Sequence, residues 1–145
     1  MRVTFPRLPD HERAWALVER DDGVVYRLYG GTAGPRLPHD IMHLVVEREL
    51  RIQDGIWAGI AAGEPCPPPG LRAGLLADLV SSAATLDTMT LDKIKRLTAA
   101  KLSVLPDADV DPVVIAAAAR ALQVEAARWA RLRIGEELSY DWPGK

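Results

Sequence analysis

One cysteine, three histidines and a single phenylalanine stand among 145 residues. Cys66 has no partner for an intramolecular disulfide, so the fold must be held by packing, and a reducing compartment is the expectation. An excess of charge of either sign is also missing: eighteen Lys and Arg face twenty Asp and Glu, for a formal net charge of -2 and a pI near 5.9. Nucleic acid and anionic membranes both call for concentrated basic surface, so nucleic acid is not an expected partner. No apolar run approaches the roughly 20 residues that cross a bilayer. Nor does the start, MRVTFPRLPDHERAW, carry the apolar stretch of a secretory signal. These absences predict a cytoplasmic protein with no membrane partner. A Gly-x-Ser-x-Gly elbow and the kinase and dinucleotide fingerprints are absent as well.

What is present is a globular balance, 48% hydrophobic and 26% charged, at a length that suits one domain. The expected organisation over 1–145 is a mixed β/α half at 1–63, a proline-rich linker at 64–70 (EPCPPPG), a helical half at 71–135 and a tail at 136–145. Ala14 to Arg20 and Val24 to Tyr29 alternate as strands do, and Asp21-Asp22-Gly23 between them predicts a tight hairpin. Val3 and Phe5 supply a third strand. The fold class expected is α+β, a small N-terminal antiparallel sheet followed by four to five helices.

The helices announce themselves at their starts. Pro38 suits the first turn of a helix over about Leu37 to Ile52, with Asp40 near its positive end. Asp54-Gly55 punctuates it before a short helix over Gly55 to Ala62 that carries Trp57. Further helices are predicted from Leu71 to about Ala84, from a Thr90 cap to about Val104 before Pro106, and from an Asp111 cap with Pro112 at its first position to Gly135. The end, SYDWPGK, reads as a tail that either docks through Tyr140 and Trp142 or frays. Arg120, Arg128, Arg131 and Arg133 read as a solvated face balanced by Glu125, Glu136 and Glu137. Trp15, Trp57 and Trp129 read as core anchors, and Cys66 reads as a spectator. GGTAGPR, residues 30–36, lacks the Gly-Lys-Ser/Thr ending of a phosphate loop and reads as a plain strand-to-helix connection.

Chemistry concentrates in RLPHDIMHLVVERE, residues 36–49. At about 100° per residue, His39, His43, Glu47 and Asp40 fall within roughly a quarter-turn, with Ile41, Val45 and Ile52 almost opposite. Two histidines four apart are the spacing by which one helix offers two imidazoles to a single ion, as in HExxH zinc sites, with Asp40 here in place of the Glu. Glu47 stands about 12 Å along the axis from His39, so it is not an obvious third ligand beside it and is expected to pair with His43 or to join a wider site. Candidates for a third ligand are His11, Asp54, Glu64 and Cys66.

LPHDIMHLVVE, with GGTAGPR before it, resembles a group of uncharacterised small actinobacterial proteins, a resemblance that implies no activity. The core His39-Asp40-Ile41-Met42-His43 is similar to the HDxxH zinc motif of the ubiquinone-biosynthesis scaffold family. That family places a Glu twelve residues after its second His, where this chain has Gly55.

The leading expectation is a small metal-binding protein, hydrolytic in one form of the reading, with His39 and His43 as ligands of a divalent ion, zinc first, and Asp40 or Glu47 as further ligand or catalytic base. The competing expectation is a non-catalytic interaction module, in one form a homodimer, on which His39, Asp40, His43 and Glu47 are simply a solvated helix face.

Overall fold

In a computed structural model the described residues are 1–105 and 110–143. The chain opens with β1 (Arg2–Pro6), β2 (Arg13–Glu19) and β3 (Val25–Thr32). Gly23 turns the β2–β3 hairpin at φ +87°, a conformation in which a side chain would be strained. Asp22 assists by accepting the Val24 N–H through its side chain.

Five helices come next: α1 (His39–Glu49), α2 (Ile56–Ala61), α3 (Leu71–Ala84), α4 (Leu91–Lys101) and α5 (Pro112–Ala130). The Thr90 hydroxyl accepts from Lys93 N–H and the Asp111 carboxylate from Val113 N–H, so both expected caps are formed, each contributing about 1 kcal/mol. The expected Pro106 stop lies outside the described residues, and α4 ends at Lys101, before Val104.

Two corrections concern the end of the chain. Helix α5 stops at Ala130, not at Gly135. Gly135, at φ +95°, instead belongs to the turn that brings the chain back to β1, where its N–H bonds the Arg7 carbonyl and the Arg7 N–H bonds the Glu136 carbonyl. Beyond this turn the described part of the chain, to residue 143, is neither frayed nor held by side chains alone. It forms a strand, β4 (Glu137–Asp141), antiparallel to β1, which completes a four-stranded sheet of order β3-β2-β1-β4.

The register sorts the sheet into two faces. Tyr26, Val18, Val3 and Tyr140 line up across the four strands, as do Leu28, Ala16, Phe5 and Leu138, and these rows face the helices. Phe5 meets Trp57 of α2 and Tyr140 of β4 edge to face, at centroid distances of 6.0 and 5.9 Å. The same hydrophobic cluster takes in residues of α1 to α5, so both halves of the chain share one core. The 64–70 stretch is tied down within it: Pro67 is buried on Gly59, and Tyr26 donates to the Pro65 carbonyl.

Trp57 and Trp129 are buried core anchors, whereas Trp15 is half-buried with the Arg27 guanidinium 4.1 Å from its ring centre. Glu125 also departs from expectation. It is buried, accepts two bonds from Arg128 and receives the Tyr140 hydroxyl at 2.5 Å, because β4 brings Tyr140 against α5. No helix among the described residues is long and apolar enough to cross a membrane.

Candidate functional site

Helix α1 carries every residue of the candidate site, and the helices around it decide what each can do. It packs against α2, α3 and α5 and touches β3. As a result the sector expected to face solvent is covered along most of its length: His43 is 4% exposed and Glu47 is fully buried. Only His39 at the start of the helix is exposed, with Asp40 half-buried beside it. The solvated histidine face is therefore corrected to a partly buried one, in which the start of the short helix α2 covers Glu47.

Glu47 is occupied. Its two carboxylate oxygens accept the N–H groups of Ile56 and Trp57, each at 2.9 Å, so α1 caps the start of α2 through this side chain. Gly55, the N-cap of α2, makes room for the carboxylate: a Cβ built there would lie 2.2 Å from it. The role these contacts give Glu47 is to join two helices.

His43 lies next along the helix, with its Nδ1 3.7 Å from a Glu47 oxygen, beyond hydrogen-bond distance, and without a partner among the described residues. Its ring meets that of His39 edge-on at a centroid distance of 4.4 Å. Burial, and then the neighbouring His43, hold the pKa of His39 below the ordinary histidine value, while Asp40 pulls weakly the other way. Asp40 moves in the opposite direction, its carboxyl raised by burial and only partly restored by His39 and His43.

Asp40 is held from its backbone side, where its carbonyl accepts the indole N–H of Trp57 at 3.0 Å. Its carboxylate lies over Gly30, 3.0 Å from where a Cβ would stand, and has no hydrogen-bond donor among the described residues. Together with His39 it forms part of the wall of a cavity of about 350 Å³. The remaining walls are mostly apolar: Phe5, Trp15, Leu37, Trp129 and the glycine-rich loop 30–34. Trp129 pins that loop, its indole N–H donating to the Gly34 carbonyl at 3.1 Å.

GGTAGPR thus does more than connect β3 to α1, since it forms one side of this cavity. The participation of Trp129, ninety-five residues from Gly34, had no signal in the sequence. Nor are the expected third ligands gathered here. His11 sits in the turn after β1, Glu64 and Cys66 are exposed near the prolines, and Asp54 packs on Gly70. Among the described residues no group of three or more His, Cys, Asp or Glu is arranged to hold a metal ion. Comparison with protein families, with curated proteins and with solved structures returns no match.

Proposed function

We propose that the protein binds a small organic molecule in the cavity at the start of α1, with Asp40 and His39 as its polar contacts. The observation that carries this reading is a half-buried carboxylate without a donor among the described residues, set beside an imidazole in the wall of a mostly apolar hollow. Cavities of this size with few, convergent polar groups are the usual form of a ligand site. The opposed pKa shifts of the two side chains bring them closer in proton affinity, which suits a proton shared with or passed to a bound ligand. In this reading Asp40 and His39 act on the ligand and Glu47 does not. A thermal-shift screen of metabolite-sized compounds tests it, comparing the wild type with the His39→Ala/Asp40→Ala double variant. Hits lost in the variant support the reading; hits of equal size in both, or none, oppose it.

A second reading keeps His39 and His43 as ligands of a divalent metal ion, zinc first. Its support is the approach of the two imidazoles on adjacent turns of α1, their ring centres 4.4 Å apart. Two imidazoles on adjacent turns then offer two ligands, the rest coming from water or a bound molecule.

A further inference from the structure

Resting on the small-molecule reading, we infer that the ligand is an organic amine, a flat apolar body against the aromatic walls with its ammonium on the Asp40 carboxylate. Among the described residues that line the cavity, Asp40 is the one carboxylate. An ionised carboxylate amid apolar walls is costly unless charge and hydrogen bonds compensate it, and no described residue donates to this one. An ammonium supplies both. Trp15 and Leu37, lining residues that are only half-buried, offer the apolar surface that holds the rest of such a ligand.

The opposite assignment, an anionic ligand on Arg36 at the cavity wall, is weaker on physical grounds. Arg36 is exposed, and a solvated charge contributes little to a pair, whereas Asp40 is half-buried and less screened. The approach to Asp40 is also built: Gly30 is the residue beneath its carboxylate, and a Cβ there would stand 3.0 Å from Oδ2 and force it to shift.

Isothermal titration of three probes of one shape tests this on the full chain: phenethylamine, 2-phenylethanol and phenylacetate. Phenethylamine is expected to bind the wild type at least about tenfold more tightly than the alcohol, the scale of a hydrogen bond to a charged group. That preference is expected to vanish in Asp40→Asn and to shrink in Gly30→Ala. Equal binding of amine and alcohol to the wild type overturns the amine assignment and leaves the small-molecule reading standing. Tightest binding of the carboxylate, lost in Arg36→Ala, replaces it with an anion site. Failure of all three probes to bind at millimolar concentration counts against the small-molecule reading itself.

Discussion

The Glu47 carboxylate occupies the space that a side chain at Gly55 would need, with a built Cβ 2.2 Å from its atoms. One glycine therefore permits a buried anion, and that anion fixes the first turn of α2. Because α2 carries Trp57, which is buried and bonds the Asp40 carbonyl, the contact also positions the start of α1 and the cavity beside it.

Gly55→Ala is accordingly expected to unfold more easily than wild type by about 3 kcal/mol, the scale of breaking a buried charged contact. Glu47→Ala loses a similar amount by freeing the two α2 N–H groups. Urea denaturation followed by tryptophan fluorescence reads both. A change under about 0.5 kcal/mol in either variant, the scale of an ordinary surface substitution, contradicts the capping role.

Burial makes the ionised Asp40 carboxylate a cost to the fold. Its pKa is raised in the folded protein, so its favourable contribution is present below the unfolded value of 3.8 and lost as pH rises through the folded value. Asp40→Asn is therefore more stable than wild type at pH 7, and the difference disappears below about pH 3.8. Thermal melts of the two proteins at pH 3.5 and pH 7 check the direction. An equal difference at both values removes the claim that the carboxylate is uncompensated.

Tyr140 reports on the junction of β4 with α5. Burial first, then the Glu125 bond, push its hydroxyl well above the ordinary tyrosine value, and burial raises Tyr26 as well. Raised values contribute stability that is whole below pH 10 and lost at higher pH. Ultraviolet titration is expected to show Tyr140 ionising only as the protein unfolds. Tyr140→Phe abolishes this late step and costs about 1–3 kcal/mol at neutral pH through the unpaired Glu125 oxygen.

If the second reading holds, the wild type takes up about one equivalent of zinc by calorimetric titration at neutral pH, and His39→Ala takes up none. His39 is exposed, so this variant keeps the wild-type melting temperature. Zinc uptake that survives His39→Ala removes the histidine pair as the ligand set.

Much of the architecture was legible where the signals are local. The hairpin at Gly23, the Thr90 and Asp111 caps and the limits of α3 at Leu71 and Ala84 each depend on residues within a few positions of one another. Strand β4 was not legible. Its inward residues, Leu138 and Tyr140, number only two, and its partner β1 lies at the opposite end of the chain. The site was half legible. The spacing of His39, Asp40, His43 and Glu47 placed them in one sector, but a wheel carries no information about what covers that sector. The start of a six-residue helix, α2, covers Glu47, His43 is buried beside it, and His39 and Asp40 are left at the cavity.

The most direct test of the cavity as the functional site is a ¹H–¹⁵N correlation spectrum of the labelled protein, titrated with the strongest compound from the screen. Shift changes are expected to cluster at Gly30 to Gly34, at Leu37, His39 and Asp40, and at the indole N–H of Trp129, which bonds Gly34. Changes confined to other parts of the molecule, with these resonances still, contradict it.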